Sequence, residues 1–206
     1  MMSIVNLISD RLNSSIENEG SASLVLSGGS SPISIYEELS NIDLSWSKVF
    51  LTLVDDRLVD PDHKDSNQKL LHKHLIKNKA KNINFYPLTE NFLSYTKFKK
   101  PFDITLLGMG EDGHFASLFP DMKNKYEAFD VNASPKILIT LPQGNPLIPR
   151  ITMNLSLIME SLSIILLVKG KAKQNIFEKA KKEKKLPIHH LIKNRNRDFF
   201  IEKIND

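Results

Sequence analysis

The chain has 206 residues with a hydrophobic fraction of 41%, enough for one domain over 1–206 with a sizeable core; the lack of cysteine excludes disulfides and thiolate chemistry and fits a reducing, cytoplasmic setting. The net charge of +4, with pI ≈ 9.1, suits an anionic partner, but much of the excess sits in 179–185, where no aromatic residue interleaves the lysines. A solvated helix face is expected there and nucleic acid is not, and no run of about eighteen apolar residues offers a membrane-crossing helix.

Residues 1–18 are amphipathic, with Ile4, Val5, Ile8, Leu12 and Ile16 near helical spacing and Gly20 as the stop. They lack the basic stretch and apolar run of a secretory leader. Residues 23–26 read as a short strand, followed by Ser27, Gly28, Gly29, Ser30, Ser31 and Pro32 and a helical stretch over 33–39. Two accounts fit this unit equally. Its backbone N–H groups and serine hydroxyls complement a dianion, or it is a plain βα turn. It is neither a P-loop nor a G-x-G-x-x-G fingerprint.

Residues 49–54 form a second β-rich apolar run. It delivers Asp55, Asp56 and Arg57 at its C-terminal end, where ligands sit in open α/β sheets. A helix is expected over 67–77. His72 and His74 are two apart and point in different directions on a helix, unlike an i, i+4 metal pair. With His63 they are assigned to surface or packing. A short strand over 83–88 and a helix or loop over 90–100 follow.

Residues 102–108 are an apolar run too short for a helix, with Asp103 at its entrance, and read as a buried parallel strand. Gly108, Gly110 and Gly113 then turn the backbone sharply. Asp112 and His114 stand at the strand's C-terminal end. An acid and an imidazole two apart on a glycine hinge point to proton transfer. Ser117 lies on no G-x-S-x-G elbow, so a serine hydrolase is not indicated. Residues 121–134 read as irregular or part helix, and 136–141 as a strand. Pro142, Pro146 and Pro149 preclude a regular element before Arg150. An amphipathic helix is expected over 152–161 and a very apolar strand over 163–168, ending in Lys169, Gly170, Lys171, Ala172 and Lys173. His189 and His190 are given packing roles, and 199–201 a final edge strand. Strands alternating with helices predict an α/β fold: a doubly wound, mostly parallel sheet with helices on both faces, Rossmann-like and three-layered.

The run GMGEDGHFASLFP, from Gly108 to Pro120, closely resembles the signature of the 6-phosphogluconolactonases, part of a sugar-phosphate family that includes glucosamine-6-phosphate isomerase/deaminase. Other segments resemble the family in turn. SGGSSP is similar to its Ser-Gly-Gly-Ser/Thr-x-Pro loop, which implies that Ser27, Gly28, Gly29, Ser30 and Ser31 hold a sugar phosphate. Asp55-Asp56-Arg57 with Ser66-Asn67 is similar to Asp-Glu-Arg followed by Ser-Asn, with Asp56 one methylene shorter than the usual Glu. Arg57 stands where the isomerase branch has an aromatic residue. The segment 149–153 resembles one whose arginine, here Arg150, faces the site. Gly170 to Lys173 resembles Gly-x-x-Lys, and 186–191 a Leu-Pro-Ala/Ile segment.

The resemblance implies hydrolysis of 6-phospho-D-glucono-1,5-lactone to 6-phosphogluconate in the pentose phosphate pathway, with no metal and no cofactor. His114 would take the proton of a water, with Asp55, Arg57 and Asp112 beside it. Arg57 or backbone N–H groups would meet the oxyanion. Arg150 and Lys173 would lie near the phosphate, with Asn67 and Gly113 completing the binding set. An isomerase/deaminase is the alternative, but its Asn-Glu-Pro-like segment is replaced here by 115–120. A sugar-phosphate-sensing regulator would carry an added helix-turn-helix, for which twenty N-terminal residues are too few. The expected partner is a small lactone, and the expected state a monomer or weak homo-oligomer.

Overall fold

The computed structural model describes residues 3–95, 97–194 and 198–204. The first helix, α1 (Ile4–Glu19), is capped by Ser3, whose hydroxyl accepts from the Asn6 N–H at 3.2 Å, and ends at Gly20 with φ +81°. A left-handed C-cap of this kind favours glycine. Val5, Ile8, Leu12 and Ile16 form its buried stripe.

Six strands build the main sheet: β1 (Ala22–Leu26), β2 (Val49–Leu53), β4 (Asn84–Phe85), β5 (Phe102–Gly108), β8 (Ser161–Lys169) and β9 (Asp198–Ile204). Their order is β4-β2-β1-β5-β8-β9, and every pairing is parallel. All of β1 is buried, as is β5 up to Leu107, which explains why these strands read as continuous apolar runs rather than alternating ones. Helices α2 (Ile33–Leu39) and α3 (Asn67–His74) lie on crossovers that lead away from β1 toward β4. Helices α6 (Lys171–Ala180) and α7 (Pro187–Asn194) lie on the crossover that leads from β8 to β9, in the opposite direction. With right-handed crossovers, opposite directions put these helices on opposite faces. The travel of the chain therefore reverses between β1 and β5, and that reversal is where an open sheet leaves a crevice.

A second sheet was not anticipated. β3 (Asp55–Arg57), β7 (Arg150–Met153) and β6 (Ile137–Ile139) form an antiparallel trio in the order β3-β7-β6. It corrects the expected helix over 152–161: Thr152 pairs with Asp55 on one side and Leu138 on the other. Only a single turn, α5 (Leu155–Ile158), is helical, started by Asn154, which accepts from the Leu157 N–H at 3.1 Å. The segment is buried on all sides from Arg150 to Ile158, so its apolar pattern encodes no helical face. Asp55, Asp56 and Arg57 likewise belong to a strand rather than a loop. Strand 83–88 shrinks to β4, the helix over 67–77 ends at His74, and 90–100 holds one short turn, Phe92–Ser94. The helical part of 121–134 is α4 (Lys125–Phe129).

At the end of the sheet away from the crevice, Asp103 is buried and fully engaged. Its carboxylate accepts from the Ser23 N–H at 2.6 Å, the Ser15 hydroxyl at 2.6 Å and Lys99 Nζ at 2.7 Å, tying α1, β1 and β5 together. Removing it leaves the buried Ser23 N–H without its carboxylate acceptor and takes from Lys99, which is 12% exposed, the nearer of its two carboxylates, leaving Glu19 at 3.2 Å. Asp103→Ala is expected to lower stability by roughly 3 kcal/mol, seen as a melting temperature lower by about 6–12 °C, with substrate turnover at the other end of the sheet unchanged.

Candidate active site

The loops after β1 and β5 stand side by side because their strands pair, with Leu26 opposite Leu106 and the Ser27 N–H donating to the Leu106 carbonyl at 3.1 Å. They open a cleft of about 240 Å³. Ser27, Gly28, Gly29, Ser30 and Ser31 line one side and His114 another. Asp55, Arg57 and Arg150 reach it from the antiparallel sheet, Asn67 from the start of α3, and Lys173 from the first turn of α6. Two expected residues are not in the wall. Gly113 is buried with φ +80° and packs toward Leu186 and Ile176. Its carbonyl accepts from the Ile188 N–H at 2.9 Å, so it anchors the loop to α7. Asp112 stands behind His114.

The 110–114 turn is closed by the Gly110 N–H donating to the His114 carbonyl at 2.8 Å. Asp112 Oδ1 lies 2.5 Å from His114 Nδ1 and accepts the His114 N–H at 3.1 Å. Burial pushes the Asp112 carboxyl up, but the hydrogen bonds and charge of His114 outweigh it and hold the pKa below the ordinary value. An ionised carboxylate can only accept, so the proton belongs on Nδ1 and Nε2 keeps its lone pair. The ring is 30% exposed and lines the same cleft as the serine–glycine turn, rather than being lost in the core.

The carboxylates nearby are already engaged. Asp56 accepts from the N–H groups of Arg57 at 2.7 Å, Asn67 at 2.7 Å and Gln68 at 3.1 Å, so it serves the first turn of α3. Its pKa is raised by burial, against the lowering effect of those N–H groups. Asp55 accepts from the Ser117 hydroxyl at 2.5 Å. Ser117 is fully buried and spends its hydroxyl there, so it is no nucleophile. Arg57 Nη1 donates to the Asp65 carbonyl at 2.6 Å, and Arg150 Nη2 to the Pro146 carbonyl at 3.1 Å. Burial lowers the Arg150 pKa, and the Arg57 cation lowers it further, with Asp55, Asp56 and Asp65 working against both. The Arg150 guanidinium stays charged at neutral pH. Among the described residues, Ser27 Oγ, Arg57 Nε, Asn67 Oδ1 and Arg150 Nε are buried without a hydrogen-bond partner, and all four residues line the cleft. Such groups are costly to leave unpaired, and together they suit a polyhydroxylated anion.

The other histidines lie at the surface or in packing: His63 is exposed beside Asp65 and His72 meets Phe85 edge-on. His74 Nδ1 meets Glu37 at 2.8 Å, His189 Nδ1 lies 2.7 Å from the Ala180 carbonyl, and His190 stacks on Phe129. Among the described residues no group of three or more His, Cys, Asp or Glu is arranged to hold a metal ion. The reading of the sequence missed Tyr36, a fully buried phenol on α2 that donates to the Ser27 carbonyl at 2.5 Å and steadies the turn. It also missed why Gly28 and Gly110 are glycines. A Cβ at Gly28 would lie 1.8 Å from Asn67 Oδ1, and one at Gly110 would lie 2.2 Å from His114 Cε1 and Nδ1.

A family model described as glucosamine-6-phosphate isomerases/6-phosphogluconolactonase matches residues 1–200. A 6-phosphogluconolactonase of Neisseria meningitidis is 34% identical over 191 residues, covering 86% of this chain and 82% of the relative. One from Helicobacter pylori is 34% identical over 202 residues, covering 92% and 86%. The crystal structure of a 6-phosphogluconolactonase from Shewanella baltica superposes with a TM-score of 0.87 at 30% identity, covering 98% of this chain and 91% of that one. That from Thermotoga maritima gives 0.80 at 26% identity, covering 98% and 94%.

The two bare Cα atoms are directly testable. Gly110→Ala forces the imidazole out of its place, because the methyl group and the ring cannot share the space. The expected outcome is a folded variant whose His114 ring signals move in an NMR spectrum. Gly28→Ala should leave that ring untouched and displace Asn67 instead.

Proposed function

The chain belongs to the glucosamine-6-phosphate isomerase/6-phosphogluconolactonase family, and on that footing we propose that it hydrolyses 6-phospho-D-glucono-1,5-lactone to 6-phosphogluconate through a water activated by His114, without a metal. The observation that carries this is the convergence of His114, backed by Asp112, and three cationic side chains, Arg57, Arg150 and Lys173, on one cleft.

A δ-lactone is an activated ester, so its hydrolysis requires a stronger nucleophile and a partner for the developing oxyanion. His114 Nε2 takes the proton of a water as its oxygen attacks the lactone carbonyl. Asp112 holds the opposite nitrogen and favours the imidazolium that forms. Arg57, or N–H groups of the glycine-rich turn, faces the oxyanion. When the tetrahedral intermediate collapses, the ring C–O bond breaks and the proton on His114 goes to the departing alkoxide, giving the acid and restoring the base. The phosphate rests against the 27–31 turn with Arg150 and Lys173, and Asn67 addresses the sugar. The Asn-Glu-Pro-like segment of the isomerase branch is replaced here by residues 115–120, which carry no carboxylate, and this favours the lactonase branch.

Lactone hydrolysis assayed beside glucosamine-6-phosphate deamination on one preparation tests the assignment; turnover of the amino sugar alone would reject it. His114→Ala and Asp112→Asn should each lower kcat by roughly 10²–10⁴-fold while 6-phosphogluconate still binds. Undiminished turnover in His114→Ala would reject the general base. Lys173→Ala and Arg150→Ala should raise KM by roughly 10–100-fold. A fall confined to kcat would remove them from the phosphate.

A further inference from the structure

Phe119 has no part in the chemistry above, yet it touches that chemistry. Its side chain is 4% exposed. Its ring centroid lies 4.5 Å from that of the His114 imidazole, with the planes at 37°, and the Arg150 guanidinium carbon lies 5.5 Å from the same ring. The far edge of the ring faces Gly144: a Cβ there, at φ +73°, would lie 3.0 Å from both Phe119 Cζ and Arg150 Nη2, so the backbone approaches both closely. Gly144 of the 142–149 loop thus lies close against the far edge of Phe119, and the ring faces the imidazole.

The imidazole needs such a support. Its one side-chain hydrogen bond, to Asp112, holds Nδ1 but permits the ring to swing about that contact. Gly110 offers no Cβ to stop it, since that space is filled by the imidazole itself. We propose that Phe119 is a positioning residue that fixes the plane of the His114 imidazole and so aims Nε2 at the attacking water. The proposal rests on the hydrolysis assigned to this cleft, and the role it gives Phe119 is exerted on His114, apart from the ring's contact with Arg150. An aromatic ring in offset contact has a preferred geometry that an aliphatic side chain lacks, and small errors in aiming a proton acceptor are costly to rate.

The test is a double-mutant cycle in lactone hydrolysis with Phe119→Leu, His114→Ala and both together, alongside NMR of the imidazole protons. Leucine keeps the site apolar and loses the ring. Phe119→Leu should lower kcat about tenfold with KM changed by less than about threefold. It should have no further effect in the His114→Ala background. The His114 ring protons should show an aromatic ring-current shift, and a cross-relaxation peak to Phe119, that are lost in the variant. Equal losses in both backgrounds, an unchanged kcat, or wild-type spectra with neither the shift nor the cross peak would overturn the proposal. Phe119→Met carries the same cycle if Phe119→Leu does not fold. Wild-type protein without lactone turnover would sink the assigned reaction instead, and the wild-type spectra would still decide whether Phe119 holds the ring.

Discussion

Between β1 and β5 the chain changes its direction of travel across the sheet, and no crossover roofs the carboxyl ends of those two strands. That topological fact places everything else. The register that sets Leu26 beside Leu106 also sets the serine–glycine turn beside the Asp112–His114 turn, although about eighty residues of chain separate them. Parallel strands end at one edge of the sheet, so their successor loops meet without any contact encoded locally. The antiparallel trio closes the remaining side, with β3 and β7 carrying Arg57 and Arg150 to the rim as cross-strand neighbours.

The electrostatics follow from how the carboxylates are used. Asp55, Asp56 and Arg57 are consecutive, and in isolation would read as an arginine paired with its acidic neighbours. In the fold, Asp56 is occupied by the first N–H groups of α3 and Asp55 by the Ser117 hydroxyl. Neither makes an ion pair with Arg57 or Arg150 among the described residues. Two like charges brought near each other in a half-buried place favour an anion from outside. Lys173 extends the positive wall toward the serine–glycine turn.

The bare Cα positions show how closely side chains are fitted here. Gly28 and Gly110 are both followed by residues with unusual backbone, Gly29 with φ +87° in one turn and Gly113 with φ +80° in the other. The first glycine of each turn does something different from the second. It makes room, in one case for Asn67 and in the other for His114, while the second lets the chain turn. Removing a side chain is thus what admits a functional one.

The buried parallel strands were legible in the sequence because continuous apolar runs between turn residues have few other interpretations. The turns at their ends, with Asp112, His114 and the serine–glycine run, were legible because glycine and proline restrict the backbone so strongly. The strand β7 was not: Ile151, Met153, Leu155 and Leu157 are all buried, and a segment surrounded by protein loses the polar face that tells helix from strand. The family resemblance placed Gly113 in the binding set, but it packs toward Ile176 of α6 and Leu186 and does not line the cleft.

The amino-acid sequence by itself determined the buried parallel strands, the sharp turns at their ends and the chemical groups those turns carry, since each depends on neighbours a few residues away. Only the tertiary structure decided which groups face the cleft, that Asp56 serves the start of α3 while Asp55 accepts from Ser117 at the cleft, and that Phe119 lies against His114. Those depend on sheet register and crossover direction, which bring distant segments within a few ångströms, and no local pattern carries that information.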